Sequence, residues 1–233
     1  MNDAVVLLSG GADSTTLLHL VVKQLHPDST IHALSMHYGQ KHSKELQCAR
    51  WQAQALAPWV HHEEMDLYYL KRKLAKGSAL VRGGADVPDL SALTDAQRKH
   101  PPTYVPNRNM MLLSMAVAYA EAQGVRSVYY GAQAQDEYGY WDCTVEFLAR
   151  MNAVLQLNRA TPVTIHAPFV ACSKAEVVMM GAKLGVDYAH TWSCYKGTPK
   201  PCGTCPTCVE RTTAFRTVGL QDPLNPTQED MTL

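Results

Sequence analysis

Short apolar runs alternate with amphipathic stretches along most of the chain. Short runs of this kind predict buried strands, and stretches with an apolar residue at every third or fourth position predict helices. The predicted strands are residues 4–8, 31–36, 60–67, 127–130 and 164–166. The predicted helices are residues 15–25, 42–56, 109–123, 145–157 and 173–184. Because strands and helices alternate, the pattern predicts an α/β fold with a doubly wound parallel sheet and helices on both faces.

Residues 71–102 interrupt this alternation. Gly83-Gly84, Pro88 and Pro101-Pro102 lie there among polar residues, and no strand or helix period is visible. Long segments without periodicity are usually functional loops or mobile segments. We therefore interpret residues 71–102 as a functional loop or a mobile segment.

Composition and charge indicate a globular protein that lacks an overall positive charge. The 233 residues are 46% hydrophobic and 18% charged, which is typical of a globular chain with a full core. Twenty-one basic residues balance 21 acidic ones, so no overall positive field favours a nucleic-acid partner. The first apolar run is too short for a targeting signal or a membrane span. We expect a cytoplasmic protein with no membrane contact.

A glycine-rich turn, Ser9-Gly10-Gly11-Ala12-Asp13-Ser14, lies between the first predicted strand and helix. Two glycines let the backbone turn tightly and approach an anion closely. Serine hydroxyls and the N–H groups at a helix start donate hydrogen bonds to phosphate oxygens, and the helix dipole favours negative charge there. This segment, the glycine loop, predicts a phosphate site. The alternative is an ordinary turn in which Asp13 or Ser14 caps the helix.

Four of the seven cysteines lie close together near the C-terminus. Cys194, Cys202, Cys205 and Cys208 have the spacing C-x7-C-x2-C-x2-C, and four thiolates can complete a tetrahedral zinc site. A site with four protein ligands leaves no open position for substrate, so the metal is expected to be structural. An iron–sulfur cluster would use the same ligands. The remaining cysteines are interpreted as buried thiols or left unassigned.

Further segments carry a resemblance to a known family. The glycine loop resembles the Ser-Gly-Gly-x-Asp-Ser loop of the N-type ATP pyrophosphatases. Over roughly residues 4–218 the chain resembles the 7-cyano-7-deazaguanine synthase family of that superfamily. The segments that carry this resemblance are Tyr38-Gly39-Gln40-Lys41-His42, Thr103-Tyr104-Val105-Pro106-Asn107-Arg108-Asn109, Gly139-Tyr140-Trp141-Asp142-Cys143, Ser173-Lys174-Ala175-Glu176 and Thr191-Trp192-Ser193-Cys194-Tyr195.

The resemblance implies an ATP-dependent ligase of queuosine biosynthesis. Its members adenylate 7-carboxy-7-deazaguanine, release pyrophosphate, and use ammonia to displace AMP. A second adenylation then leads from the amide to 7-cyano-7-deazaguanine. The implied cofactors are ATP, Mg²⁺ and Zn²⁺. The implied domains are an ATP pyrophosphatase domain over residues 1–190 and a zinc-binding segment over residues 191–233 that packs on it.

The resemblance also implies roles for individual residues. Lys174 has a further argument, because a cation at a helix start is unfavourable unless an anion lies nearby. The candidate catalytic residues are Asp13, Ser14, Lys174 and Arg108. The candidate ATP contacts are Leu8, Ser9, Gly10, Gly11, Ala12, Asp13, Ser14, Thr15 and Met36. The candidate substrate contacts are Tyr38, Gln40, His42, Asn109, Asp136, Tyr140 and Asp142.

The sequence departs from the family around the expected substrate. Ala134 replaces an acid, Thr144 replaces an arginine, Asn107 replaces a glycine, and Tyr138 and Trp141 add bulk. Changes of charge and size around one pocket can alter which amine reacts. One alternative therefore joins the adenylated acid to another amine, such as a protein N-terminus. A second alternative is a non-catalytic nucleotide-binding zinc protein. The oligomeric state is not determined by the sequence, and a homodimer is one possibility.

Overall fold

A parallel sheet forms the centre of the molecule. The computed structural model describes residues 3–41, 44–133 and 140–225. In these ranges the sheet has the strands β1 (Ala4–Leu7), β2 (Ile31–His37), β3 (Val60–Asp66), β4 (Ser127–Tyr129) and β5 (Thr164–His166). Every neighbouring pair is parallel, in the order β3-β2-β1-β4-β5. This confirms the fold class predicted from the alternating pattern.

Most of the helices in the described ranges follow the predicted segments with small shifts at their ends. The helices are α1 (Ala12–Leu25), α2 (Lys44–Ala55), α3 (Lys71–Leu74), α4 (Asp95–Lys99), α5 (Arg108–Gln123), α6 (Val145–Leu155), α7 (Lys174–Lys183) and α8 (Pro206–Thr217). Short 3-10 turns cover Tyr68–Leu70, Ala75–Gly77, Leu90–Ala92, Trp141–Cys143 and Tyr188–His190. Helix α8 lies in a region where no helix was predicted.

Each face of the sheet is covered by its own helices. Along β1, Val5 packs into a cluster with residues of α5, whereas Val6 packs on the opposite face with residues of α1 and α7. This split follows from the period of two in a strand, which sends alternate side chains to opposite faces. Leu113 of α5 and Leu17 of α1 are both fully buried, one in each cluster. The sheet is therefore buried on both sides.

The strand order reverses direction beside β1. The chain passes from β1 to β2 and β3 on one side, and β4 and β5 lie on the other. In sheets of this type a crevice opens outside the carboxyl ends of the two strands where the order reverses, and ligands bind there. In this molecule the crevice lies beyond β1 and β4. The glycine loop follows β1 directly.

Residues 71–102 contain short helices and buried residues that the pattern did not reveal. The segment contains α3 and α4, and Ala79, Leu80 and Val81 are almost completely buried. A β-bridge joins Val81 to Gln40, and Arg82 N donates to Gly39 O over 2.8 Å. This part of the chain is therefore packed on the loop that follows β2. Three buried residues in a row show neither strand nor helix period, which explains why the pattern did not reveal them.

The C-terminal tail packs on the sheet domain. Trp192, Cys194, Cys205 and Cys208 are buried in the same cluster that contains the α5 residues. A division of the chain at residue 190 stays a prediction. None of the helices in the described ranges has the length and apolarity needed to cross a membrane.

Candidate active site

The glycine loop forms the start of α1. Gly11 is the N-cap residue and has no side chain to bond the free N–H groups of the first turn. Asp13 and Ser14 lie inside the helix, so neither is the N-cap residue that the alternative interpretation required. Ser14 Oγ accepts a hydrogen bond from Ser9 N over 3.1 Å and lies 3.0 Å from Ser9 Oγ. The loop thus presents two hydroxyls and unfilled backbone donors at one helix N-terminus, an arrangement that suits an anion.

The two glycines of the loop differ in how strictly the structure requires a residue without a side chain. Gly10 has φ +87°, and a Cβ atom there would lie 2.0 Å from the backbone O of Glu45. Gly10 O also accepts a hydrogen bond from Trp192 N over 2.9 Å. A Cβ atom at Gly11 would meet Ser9 Oγ at 3.3 Å, which small shifts can relieve. Only Gly10 is therefore required by both backbone conformation and close packing.

A cleft of about 240 Å³ opens beyond the carboxyl ends of β1, β2 and β4. It contains twelve of the residues predicted to contact ATP or substrate. These are Leu8, Ser9, Gly11, Ala12, Asp13, Ser14, Met36, Tyr38, Gln40, Arg108, Asn109 and Lys174. Thr15 is fully buried, and neither it nor Gly10 lines the cleft. His42 and Asp136 lie outside the described residues.

Lys174 and Asp13 form an ion pair in the wall of the cleft. Lys174 Nζ donates to Asp13 Oδ2 over 2.5 Å, and their side chains are 14% and 22% exposed. Burial acts to lower the pKa of Lys174, but the Asp13 carboxylate outweighs it, and the pKa lies above its usual value. Lys174 is therefore a cation at neutral pH. Asp13 Oδ1 is buried and has no hydrogen-bond partner among the described residues.

Arg108 brings a second cation to the cleft from the other face of the sheet. It is the first residue of α5, as Lys174 is of α7. Asn107 precedes it with a left-handed backbone, φ 50°, which explains why asparagine can replace a glycine at this position. Two helix starts that both carry a cation and face one cleft make an anion the expected occupant.

Two predicted substrate contacts are bonded mainly to the protein itself. The Gln40 side chain is 4% exposed, accepts from Tyr38 N over 3.0 Å and donates to Met36 O over 3.0 Å. Asn109 Nδ2 lies 3.3 Å from Cys143 Sγ and 3.4 Å from Asp142 O. Both side chains thus shape the cleft by holding its backbone.

A small side pocket adjoins the cleft. It has a volume of about 40 Å³ and holds Tyr140 and Asp142, the remaining described residues of the predicted substrate set. Its other lining residues are Leu80, Thr103, Tyr104, Val105, Arg108, Cys143 and Tyr195. Arg108, Cys143 and Tyr195 line the cleft as well. Tyr140 OH lies 2.8 Å from Thr103 Oγ1, and burial raises the pKa of Tyr140.

Several cleft residues were missed by sequence reasoning. Tyr130 and Gln133 follow β4, and buried oxygens of both, Tyr130 OH and Gln133 Oε1, have no hydrogen-bond partner among the described residues. Burial is the main cause that raises the pKa of Tyr130. The available signal was their position at the end of the predicted strand 127–130 and shortly beyond it, where parallel sheets place functional side chains. Unpartnered buried polar atoms suit a wall that hydrogen-bonds to a ligand.

The four tail cysteines come together as predicted. Their sulfurs all lie within 4.8 Å of one another, and the Sγ atoms of Cys202 and Cys208 are 3.9 Å apart. Tetrahedral zinc with Zn–S bonds of about 2.3 Å needs sulfurs about 3.8 Å apart. The donor set therefore fits a closed tetrahedral metal site.

The tail also closes one end of the cleft. Trp192, Ser193, Tyr195 and Thr207 line it. The tail is held by Arg211, which is 1% exposed and donates to Asp222, to Thr191 Oγ1 and to Tyr188 O. Metal site, buried ion pair and cleft wall therefore belong to one packed unit.

Comparisons with known proteins agree over nearly the whole chain. The model of a family described as queuosine biosynthesis protein QueC matches residues 3–219. A 7-cyano-7-deazaguanine synthase of Archaeoglobus fulgidus is 44% identical to this chain, covering 95% of it and 89% of the relative. The synthase of Marinobacter nauticus is 42% identical, covering 96% and 97%. That of Caldicellulosiruptor saccharolyticus is 45% identical, covering 95% and 94%.

Proposed function

The chain belongs to the QueC family of queuosine biosynthesis proteins, and from this membership we propose that it is an ATP-dependent 7-cyano-7-deazaguanine synthase. The substrates are 7-carboxy-7-deazaguanine, ammonia and ATP, and the products are the nitrile, AMP and pyrophosphate. The observation that carries the proposal is the cleft at the carboxyl ends of the strands. The glycine loop forms one wall of this cleft, and the cationic side chains of Lys174 and Arg108 line it as well.

The charges of the cleft suggest how ATP lies in it. The β- and γ-phosphates would occupy the N-terminus of α1, where Ser9, Ser14 and the free N–H groups donate to them. Lys174 and Arg108 would then contact the α-phosphate. A carboxylate oxygen of the substrate attacks the α-phosphorus, and pyrophosphate leaves. The cations stabilise the negative charge that grows on the α-phosphate oxygens in this step.

Ammonia completes the first half of the reaction. Its nitrogen attacks the acyl carbon, the bond to AMP breaks, and an amide forms. The amide oxygen is adenylated in turn, and loss of AMP and protons leaves the nitrile. Tyr38, which lines the cleft, would pack on the flat base, since aromatic rings favour stacking. The two alternatives, transfer to another amine and a non-catalytic nucleotide-binding protein, gain no support from the relatives.

Both implied metals fit residues of this chain. Mg²⁺ prefers carboxylate oxygens and phosphates, and the unpartnered Asp13 Oδ1 in the cleft wall is a suitable ligand. When bound, the ion would neutralise phosphate charge. Zn²⁺ would be held by the four cysteines and would stabilise the tail, because a structural zinc site contributes directly to folding. An iron–sulfur cluster is the alternative that metal analysis separates.

A cytoplasmic location and a small-molecule substrate are part of the same proposal. Balanced charge gives no reason for a nucleic-acid partner. A homodimer and a protein acceptor stay predictions.

Product analysis tests the proposed function. The protein is incubated with 7-carboxy-7-deazaguanine and ATP, with and without ammonium, and the products are identified by mass spectrometry. We expect nitrile, AMP and pyrophosphate with ammonium, and no nitrile without it. An unchanged acid in both reactions would contradict the proposal. An amide of another amine in place of nitrile would favour the variant acceptor.

A further inference from the structure

The side pocket is too small for the base, the sugar or a phosphate. Its volume is about 40 Å³, and a water-sized molecule needs about 10–15 Å³ on the same measure. The pocket therefore has room for at most about three or four molecules of that size. Among the substrates of the proposed reaction, only ammonia is so small.

One wall of the side pocket carries a buried carboxylate with few hydrogen bonds. Asp142 is 3% exposed and accepts two long hydrogen bonds, from Asn109 N over 3.3 Å and from Cys143 Sγ over 4.0 Å. A carboxylate has about four acceptor sites, and buried ones are usually well bonded. Asp142 can therefore accept N–H bonds from a small occupant of this pocket.

The surroundings favour neutral ammonia over a metal cation. Arg108 lines the same side pocket and supplies a positive charge there. Leu80 and Val105, which are 1% and 2% exposed, form an apolar wall. The other polar side chains of the lining are Thr103, Tyr104, Tyr140, Cys143 and Tyr195. Thr103 Oγ1 lies 2.8 Å from Tyr140 OH. A molecule that donates to one carboxylate and carries no charge suits this wall best.

We propose that the side pocket is the ammonia site of the enzyme, with Asp142 as the residue that binds ammonia and takes up its proton. The inference rests on the proposed function. Ammonia donates N–H to the carboxylate and keeps its lone pair free toward the cleft, which Arg108 and Cys143 also line. The C–N bond forms as the C–O bond to AMP breaks. One proton passes from nitrogen to the Asp142 carboxylate and then to solvent, which leaves the neutral amide.

The test uses two variants and one matched control. Asp142→Asn keeps an oxygen that can accept from Asn109 N but removes the charge and the proton acceptor. Loss of a hydrogen bond to a charged group predicts a rise in the KM for ammonium of about tenfold or more. The KM for 7-carboxy-7-deazaguanine should change less than about twofold on this account. Asp66→Asn is the control, since Asp66 is an exposed carboxylate that also accepts one backbone N–H, from Tyr68, and does not line either cavity.

ATP–pyrophosphate exchange without ammonium separates this inference from the proposed function. If the unmodified protein shows no exchange with the acid, the proposed function fails. If exchange is retained and Asp142→Asn leaves the KM for ammonium unchanged, or raises both KM values equally, the ammonia site is refuted and the proposed function stands.

Thr103→Ala keeps the inference testable if Asp142→Asn does not fold. Removing two heavy atoms from the wall enlarges the side pocket. We expect this variant to accept methylamine several-fold better relative to ammonia than the unmodified protein does, with the N-methyl amide detected by mass spectrometry. An unchanged preference between the two amines would show that the pocket does not select the nucleophile, and would overturn the assignment.

Discussion

Replacing Lys174 by methionine is the perturbation that most sharply separates catalysis from folding in this cleft. Methionine keeps the length and apolar stem of the side chain and removes the charge. Lys174 is paired with Asp13 at 2.5 Å, and both side chains lie in the wall of the cleft. The variant therefore loses the cation that we place on the α-phosphate and leaves the Asp13 carboxylate without its partner.

The substitution should reduce catalysis more than it reduces stability. Removing one preorganised donor from developing negative charge typically costs about 2.7–4 kcal/mol of transition-state stabilisation, about 10²- to 10³-fold in kcat. The effect on folding is smaller, because Asp13 is 22% exposed and water can reach it. We expect a loss of about 1–2 kcal/mol in the free energy of unfolding. That lowers the Tm of a chain of this size by only a few degrees.

The assay is ATP–pyrophosphate exchange dependent on 7-carboxy-7-deazaguanine, run beside thermal unfolding. Lys183→Met is the matched control, because Lys183 is an exposed lysine in the last turn of the same helix. Exchange by Lys174→Met should fall about 100-fold or more while Lys183→Met keeps full activity. Exchange by Lys174→Met within about threefold of the unmodified protein would refute the assignment of this cation to the transferred phosphate.

Three further variants test the scaffold of the site. Gly10→Ala should lose folding or activity because its Cβ atom would collide with backbone, whereas Gly11→Ala should keep its Tm; equal Tm values would contradict this. Cys208→Ser should lower the amount of metal bound per chain, measured by elemental mass spectrometry, and reduce the Tm. Arg211→Met should cost about 3–5 kcal/mol, measured by urea unfolding, because it leaves the buried Asp222 carboxylate unpaired, and a loss below about 1 kcal/mol would be inconsistent with that pairing.

Most strands of the sheet could be predicted from the hydrophobic pattern of the sequence. The strand at residues 4–8 is buried on both faces, so it appears as a continuous apolar run before the glycine loop. The glycine loop was recognisable because glycines, serines and a strand–helix junction occur together. Its role as one wall of a cleft follows from the strand order, which predicts where a crevice opens.

Helix α8 was missed for a physical reason. Its core-facing positions include Cys208, Arg211 and Phe215, and all three are buried. Arg211 occupies a position where the helical period leads one to expect an apolar residue, and its charge is balanced by Asp222, which lies outside the helix. A pairing between distant residues leaves no local signal in the sequence.

The side chains that complete the cleft were also hidden for this reason. Tyr130 and Tyr195 are far apart along the chain and approach the glycine loop only after the sheet and the tail have packed. Asp142 was predicted as a substrate contact from its motif. The structure places it in the side pocket beside Asn109, a position that no local pattern determines.

The central claim is that the carboxylate of the substrate attacks the α-phosphorus of ATP held by the glycine loop. It is tested most directly with 7-carboxy-7-deazaguanine labelled with ¹⁸O in its carboxylate, by following the label with mass spectrometry after one turnover. The account predicts that ¹⁸O appears in the phosphate of AMP and that pyrophosphate stays unlabelled. Label in inorganic phosphate with release of ADP, or AMP without label, would contradict it.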